Sequence, residues 1–517
     1  MSMGERGSGI GDRGSVNDSL PTVSIIIPTY KNDRLLAQCL SSLHKLDYPA
    51  RLVELIVVDN ASSSETARLI ATRFPRAKRL DMGKNTGFAA ACNRGAAEAS
   101  GEYGAFLNDD AVAEPGWLQG LLAGLRAGGE GTVCAASHIR SDDGREVEFS
   151  GASANLFGVG RPRPVWGWPD SRELPGEGSP ILFASGGAML VQRRAFLDAG
   201  GFDPNFFMYF EDVDLGWRLW VLGYKVVYAP GAVVRHVGGA SGRRAGAHRR
   251  YALWECNSLA TVLKNYEGGN MERLLSAGLM LNYKRVLLSA GAAFDPADYR
   301  LGGPSGVDSD NVERLPRISV AHLAAIDRFN ALLPRLMEER RRIQSRRVRS
   351  DKEILPLLGR PYEPQFAGAE YAATAQALAS ALRLYSITRE AAPNRVLLLA
   401  TQGEADAAHA AANILKDRTL VALALVGARD RGAAAPDSEG RGYVSHNVTQ
   451  EDPVLAGLIE QADAIVAYPG ALTVPALAHS NTPKAIVGRS TTLRYSIQVE
   501  HEGDPKLMAF CLEPHVT

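Results

Sequence analysis

The sequence is short of the features that mark a membrane span, a disulfide scaffold or a nucleic-acid binder. Its five cysteines, Cys39, Cys92, Cys134, Cys256 and Cys511, are scattered with no C-x-x-C pair, which argues against a structural zinc site and against a disulfide framework and fits a reducing compartment. No apolar run reaches the roughly 18 residues that a helical span needs. The nearest, Leu274 to Phe294, is interrupted by Asn282, Lys284 and Arg285. Residues 1 to 20 are rich in Gly and Ser and carry no apolar h-region, so they read as disordered and not as a signal peptide. Lys plus Arg equals Asp plus Glu at 57 each, so no global field argues for nucleic acid. A full P-loop and any internal repeat are also missing. These absences lead to the expectation of a soluble cytoplasmic protein.

What remains is ordinary globular material: 517 residues, 45% hydrophobic and 22% charged, enough for two or three domains. Val23 to Ile27 is a β-branched run stopped by Pro28, the pattern of a buried parallel strand. A helix is expected over Leu35 to Leu43, then a second buried strand over Leu52 to Val58 ending at Asp59-Asn60. A Ser-rich cap opens a helix running to about Arg73, a further helix covers Phe88 to Ala99, and the next strand runs into Asn108-Asp109-Asp110. This alternation predicts βαβ units and a mostly parallel sheet with helices on both faces. Polar residues collect where the strands end, at Pro28-Thr29-Tyr30, Asp59-Asn60 and Asn108 to Asp110. Ligands of open α/β sheets bind outside those carboxyl ends.

Further along, Leu156 to Pro180 reads as a long surface segment. Ser185 to Ala188 leads into a strand over Met189 to Gln192 and a short helix over Arg194 to Ala199. A helix is expected over Glu211 to Leu222, with separate strands at Lys225 to Ala229 and Val233 to His236. Residues 250 to 345 look mainly helical, and a further helix is expected at Ala369 to Ser386. A fresh βα pattern starts at Arg395, with strands at Val396 to Ala400, Thr419 to Val426, Ala464 to Ala467 and Pro483 to Val487. Helices lie between them at Ala405 to Leu415 and Leu455 to Ala462.

Several short segments carry chemistry, and each also has a plainer reading. Asn108 and Asp110 share one face of an extended chain and form a half-site for a hard divalent cation, although an Asn-Asp-Asp turn also simply caps a strand. Asp59 at a strand end can accept from a nucleotide's ribose or base, or open a helix cap. Gly87, between Asn85 and Phe88, permits close backbone approach before a helix N-terminus, which suits phosphate. Glu211, Asp212 and Asp214 open a helix whose dipole favours ionised carboxylates, as a general base requires; the same dipole alone explains acidic residues there. Val213, Trp217 and Trp220 form its core face, and Asp214 can pair with Arg218. His236 precedes Gly238 to Ser241, with Arg243 and Arg244 close by, the composition of a mobile flap near phosphates.

The order of these segments resembles family-2 glycosyltransferases of the GT-A fold, in their rhamnosyltransferase-like branch. The motifs are Val23-Ser24-Ile25-Ile26-Ile27-Pro28-Thr29-Tyr30, Val58-Asp59-Asn60-Ala61-Ser62, Asn85-Thr86-Gly87-Phe88, Leu107-Asn108-Asp109-Asp110 and Gly200-Gly201-Phe202-Asp203. Phe210-Glu211-Asp212-Val213-Asp214-Leu215-Gly216-Trp217-Arg218 and His236-Val237-Gly238-Gly239-Ala240-Ser241 complete the series. The resemblance covers roughly residues 20 to 265 and implies inverting transfer from a nucleotide-diphosphate sugar, dTDP-rhamnose or a UDP-sugar. It makes Pro28, Thr29 and Tyr30 the nucleotide pocket, Asp59 the holder of base and ribose, Asp110 and His236 the ligands of Mg²⁺ or Mn²⁺, and Asp212, beside Glu211, the base. The remaining expected substrate contacts are Asn60, Asn85, Gly87, Phe88, Asn108, Asp109, Gly186, Gly187 and Arg218. Asn108 stands where many family members carry an Asp, which lowers the negative charge of the metal site.

Four regions are therefore expected: a disordered 1–20, a GT-A domain over 21–265, a mainly helical 266–392, and a small α/β domain over 393–517. The acceptor is expected to be a glycan or lipid-linked glycan of cell-surface polysaccharide synthesis. The last domain, with its Tyr468-Pro469-Gly470-Ala471 turn, is read as serving acceptor binding or homo-oligomerisation. The basic run Arg340 to Arg349 suggests peripheral contact with the inner face of the membrane, although such runs are usually solvated helix faces. Two rival readings are a sugar-nucleotide-binding scaffold without turnover, which an intact Asp212 disfavours, and a nucleotidyltransferase, which leaves Glu211-Asp212 and the His236 loop unexplained.

Overall fold

A computed structural model describes residues 20–162, 175–237, 246–291, 315–358, 365–366, 369–384 and 387. It also describes the segments 395–415, 420–426, 444–448, 455, 464–467, 484–488 and 496–499. The Gly238 to Ser241 loop, Arg243, Arg244, Cys511, the Tyr468 to Ala471 turn and nearly all of the Leu455 to Ala462 helix lie outside the described residues.

The first half is built on strands β1 (Val23–Thr29), β2 (Val53–Asp59), β3 (Ala77–Asp81) and β4 (Tyr103–Leu107), all parallel, in the order β3-β2-β1-β4. Helices α1 (Asp33–Leu43), α2 (Ser64–Arg73) and α3 (Phe88–Glu98) alternate with them. Every residue of β1 is buried, as a β-branched run covered on both faces must be. Pro28 does not stop this strand. Pairing with β4 ends at Ile26, so Pro28 sits where β1 has β2 alone as neighbour and the missing N–H is tolerated.

Beyond β4 come β5 (Ala111–Ala113), α4 (Trp117–Ala127), β6 (Thr132–Ser141) and β7 (Val147–Phe149). A two-stranded hairpin of β8 (Ala152–Ala154) and β9 (Gly160–Pro162) follows. Then come β10 (Ala188–Gln192), α5 (Arg193–Asp198), α6 (Glu211–Val221) and β11 (Lys225–His236). β10 inserts antiparallel between β4 and β6, β11 runs parallel to β6, and β5 closes the edge antiparallel to β11. Six of the nine strands thus run one way, and β5, β7 and β10 oppose them, which makes the sheet mixed with its parallel part in the first half. The two strands expected at residues 225–229 and 233–236 are one strand with an irregularity between Ala229 and Val233 that absorbs Pro230-Gly231. α6 is buried on nearly all sides and not on one face alone, because a helical layer covers it.

That layer is α7 (Ala247–Asn265), α8 (Gly268–Ala290) and α9 (Arg317–Gln344). Its anchor is ionic. Lys264 of α7 is fully buried and its ammonium donates to Asp203 at 2.7 Å and to Asp214 of α6 at 3.0 Å. Arg218 donates to Asp214 at 2.5 Å, and Asn265 reaches the other Asp214 oxygen at 2.9 Å. The arginines from 340 to 349 divide: Arg341, Arg342 and Arg346 are exposed, whereas Arg340 is buried and Arg347 and Arg349 are half-buried. Arg340 donates to the carbonyls of Leu263 and Tyr266, Arg346 to Asp198, Arg347 to Asn265, and Arg349 to Trp220 and Tyr224. These bonds satisfy carbonyls at the ends of α5, α6 and α7.

A second, six-stranded sheet has the order β14 (Val444–Val448), β13 (Leu420–Val426), β12 (Arg395–Thr401), β15 (Ala464–Ala467), β16 (Lys484–Gly488), β17 (Ser496–Val499). All its pairs are parallel except the last. No helix among the described residues is long and apolar enough to cross a membrane. Cys39, Cys92, Cys134 and Cys256 are free and buried.

Burial pulls the Lys264 ammonium pKa down, but the Asp214 and Asp203 carboxylates outweigh it and hold it above the ordinary lysine value. Burial likewise pushes Asp203 up, while Lys264 holds its carboxyl well below the usual carboxylate range. Lys264→Ala leaves the buried Asp203 carboxylate without a cation and Asp214 with Arg218 alone, and is expected to cost about 3–5 kcal/mol in urea unfolding at pH 7. Asp203 has a folded pKa below its unfolded value of about 3.9, so its contribution is complete above that pH and is lost as pH falls below it. Asp203→Asn should accordingly flatten the acid limb of the stability curve, read from unfolding midpoints between about pH 5 and pH 2.

Candidate functional site

The carboxyl ends of β1, β2 and β4 open onto one cavity of about 840 Å³. Pro28, Thr29 and Tyr30 line it from β1, Asn60 from β2, and Asn108, Asp109 and Asp110 from β4. Asn85, Gly87 and Phe88 enter from the α3 side, Gly187 and Ala188 from β10, Glu211 and Asp212 from α6, and His236 from the end of β11. Parallel strands leave their chain reversals on one edge, which is why segments far apart in sequence converge here.

The chain does not stay extended after β4: Asp109 and Asp110 lie in a turn in which Ala111 N donates to Asn108 O at 3.2 Å, so the face sharing expected of Asn108 and Asp110 does not come from strand alternation. Asp109 turns toward β1, where it accepts from the Thr29 hydroxyl at 2.6 Å and the Asn32 amide at 3.0 Å. Burial pushes its carboxyl up to about 6, against these two hydrogen bonds. Asp110 faces His236, with Oδ2 and Nε2 3.4 Å apart, and its carbonyl accepts from Val237 N at 2.8 Å. The other imidazole nitrogen, Nδ1, lies 2.6 Å from Glu148 of β7. Asp110, with Glu148 assisting, raises the imidazole pKa to about 9 despite burial. Glu148 carried no sequence signal: it is one acidic residue in a short, half-exposed strand.

Asn60 shapes the opposite wall. Its Oδ1 accepts from Thr86 N and Oγ1, and its amide donates to Asn85 Oδ1 and Gly87 O. Gly87 has φ 85°, and a Cβ there would lie 2.5 Å from the Phe207 carbonyl oxygen. The glycine is required by that close backbone approach, a different reason from the phosphate contact expected of it.

Three expected contacts lie away from the cavity wall. Asp59 is buried, with one oxygen taking Ser62 N at 2.8 Å and the other the Arg79 guanidinium at 2.8 and 2.6 Å. Arg218 is a core residue whose donors go to Asp214 and to the Ala199 and Gly201 carbonyls. Gly186 acts through its backbone, donating to Asp212 Oδ2 at 3.1 Å.

The acidic start of α6 is governed by burial more than by the helix dipole. Burial raises the Asp212 pKa, while N–H groups of Gly186 and Val213 pull it back. Glu211 is pushed well up by burial and by the neighbouring Asp212 and Asp214 charges, and its Oε2 has no protein partner. Such a pair combines a fixed carboxylate with a neighbouring carboxyl held toward its protonated form. The segment Phe207 to Phe210, with Leu253 and Trp254 of α7, adds an apolar wall that the sequence reading did not single out.

Among the described residues no group of three or more His, Cys, Asp or Glu side chains is placed to hold a metal ion. Asp110 and His236 offer one carboxylate and one imidazole whose far nitrogen is held by Glu148, the usual second contact of a ligating histidine. That donor set fits a divalent cation taking its other ligands from a diphosphate and water.

Comparison with known proteins finds relatives over roughly the first half of the chain. Residues 24–199 match the model for glycosyl transferase family 2, and residues 165–264 match glycosyl transferase family group 2. An N-acetylglucosaminyl-diphospho-decaprenol L-rhamnosyltransferase of Mycobacterium tuberculosis is 33% identical over 259 residues, covering 45% of this chain and 81% of that protein. The O-antigen biosynthesis protein RfbC of Myxococcus xanthus is 29% identical over 241 residues, 45% of this chain and 18% of its own. Among solved structures, GalNAc-T7 with UDP, GalNAc and Mn²⁺ is similar at a TM-score of 0.41 and 17% identity, over 50% of this chain and 51% of that one. With a rhamnosyltransferase relative matched over most of its length, the chain belongs to glycosyltransferase family 2, in the rhamnosyltransferase-like branch.

Proposed function

We propose that this glycosyltransferase moves a sugar, with inversion, from a nucleotide-diphosphate sugar to a hydroxyl of a glycan or lipid-linked glycan in cell-surface polysaccharide synthesis. The donor is dTDP-rhamnose or a UDP-sugar. The observation that carries this reading is the single cavity that gathers the β1, β2 and β4 ends, the Asp110–His236 pair and Asp212. Thr29, Tyr30 and Asn60 line the nucleoside end, while Asp59 acts one layer back by holding Arg79 and the turn to Ser62. Asp110 and His236 would hold Mg²⁺ or Mn²⁺, which when bound supplies positive charge against the departing diphosphate. Asp212, fixed by the Gly186 N–H, takes the proton of the acceptor hydroxyl as its oxygen bonds to the anomeric carbon and the bond to the diphosphate breaks. Its raised pKa makes it a stronger base than an exposed aspartate. Glu211, held toward its protonated form, serves as a hydrogen-bond donor to a sugar hydroxyl.

A thermal-shift panel of dTDP-, UDP- and GDP-sugars with and without Mn²⁺ identifies the donor. Mn²⁺ should tighten nucleotide binding, and Asp110→Ala should remove that tightening with the fold intact; unchanged metal dependence would exclude the assignment. Asp212→Asn should leave calorimetric donor affinity near wild type and lower turnover about 10² to 10⁴-fold. Normal turnover would move the base to Glu211 or Asp214, and wild-type binding without any turnover would favour the scaffold reading.

We further propose that the chain from about residue 393 is a unit of its own serving acceptor binding or oligomerisation, supported by its separate six-stranded sheet. A chain ending at residue 390 should keep donor hydrolysis and lose acceptor affinity or oligomeric state. Full transfer by a soluble, still oligomeric truncated protein would refute this division.

A further inference from the structure

Directly before α6 the chain takes a route that L-residues seldom follow. Phe207, Tyr209 and Phe210 have φ of 63°, 71° and 63°, in the left-handed region. Backbone of this kind is unfavourable and persists only where the surroundings over-determine it. This strap forms one wall of the cavity and passes into Glu211 and Asp212 without an intervening residue. Phe210 is the N-cap of α6, and its carbonyl accepts from Asp214 N at 3.0 Å. The conformation of the strap therefore sets where the helix begins and where the Asp212 carboxylate stands.

Two restraints hold it. On one side, Ala89 N donates to Phe207 O at 3.3 Å, and the missing side chain of Gly87 makes room for that carbonyl. On the other, α7 packs the Trp254 ring against Tyr209 and Phe210 and aims one buried amide at the strap's backbone. Asn257 of α7 is fully buried, and its Nδ2 lies 3.1 Å from Phe206 O, 3.0 Å from Met208 O and 2.7 Å from Tyr209 O. Its own Oδ1 is buried with no partner. Leaving that acceptor unmet is costly, so the amide is oriented for what its nitrogen reaches. Backbone carbonyls converging on one point need a donor, and the two N–H groups of a primary amide supply it.

We infer that Asn257 is a positioning residue for glycosyl transfer: it holds the Phe207–Phe210 strap in its left-handed course and so fixes Asp212 in the cavity. The inference rests on the proposed role of Asp212. Asn257→Asp keeps the size but replaces both N–H donors with an acceptor. Gly87→Ala pushes on the same strap from the opposite wall. Leu281→Ala, in the buried interior of α8, lowers stability without touching the strap.

The test joins limited chymotrypsin digestion, with cleavage sites mapped by mass spectrometry, to hydrolysis of the sugar nucleotide that stabilises the wild type best. In Asn257→Asp and Gly87→Ala, cleavage within residues 206–210 should appear under conditions where wild type and Leu281→Ala stay uncut there. Turnover should fall on the order of 10²-fold, the usual cost of a small misplacement at the reacting centre, with donor Kd near wild type in Asn257→Asp. Leu281→Ala should lower the melting temperature and leave turnover unchanged. Should Asn257→Asp not fold, Gly87→Ala carries the same comparison. An uncut strap in the folded variants, or cleavage with full turnover, overturns the inference, as does a Leu281→Ala turnover loss equal to theirs. A wild type that hydrolyses none of the probes counts against the transfer reading, and the digestion then decides separately whether Asn257 holds the strap.

Discussion

The carboxylate of Asp214 is the point on which the rest of this structure depends. It is fully buried on α6 between Arg218, Lys264 and Asn265, and so joins the helix that starts the acidic cavity wall to the helix that covers it. A buried charge needs partners on every side, and those partners come from separate elements of the fold. α6 is thereby locked in rotation and along its axis. Without that lock, Glu211 and Asp212 would sit at the frayed first turn of a helix. With it, they are held at the cavity while the other end of α6 is tied by Arg349.

The cavity itself is electrostatically unfavourable. Asp109, Asp110, Glu148, Glu211 and Asp212 line it, against His236 and Arg249 among the described residues. The tension appears as raised pKa values: Asp109 and Asp212 through burial, and Glu211 through burial and the charges beside it. Sites that collect like charges out of water bind cations and move protons, and both belong to the proposed transfer. The strap of left-handed residues adjoining Asp212 fits the same pattern, in which local strain is tolerated where geometry matters most.

Reading the sequence succeeded where the signal was local. The β-branched runs, the helix starts at Phe88 and Glu211, and the polar residues at the strand ends lie where alternation and helical periodicity put them. It was less informative for α4, β5 and β6, although Trp117, Leu118, Leu121, Leu122 and Leu125 of α4 do follow a helical stripe. It also merged two kinds of polar residue. Asp110 and Asp212 line the cavity, whereas Asp59 and Arg218 carry equally suggestive charges and use them to hold neighbouring segments. A side chain's type does not say which of its possible partners is within reach.

The sequence by itself therefore determined the fold class, the order of β1, α1, β2, α2, α3 and β4, and the strand ends where polar residues gather, because strand burial and chain reversal follow from near-neighbour patterns. Only the tertiary structure decided that Glu148 braces His236, that Arg340 and Arg349 donate to carbonyls at helix ends, and that Gly87 admits the Phe207 carbonyl. Asn257, whose amide meets the carbonyls of a strap about fifty residues earlier in the chain, belongs to the same class. Each of these depends on where two distant backbones approach within hydrogen-bonding distance. That distance is set by the packing of whole helices and sheets, which no short window of residues encodes.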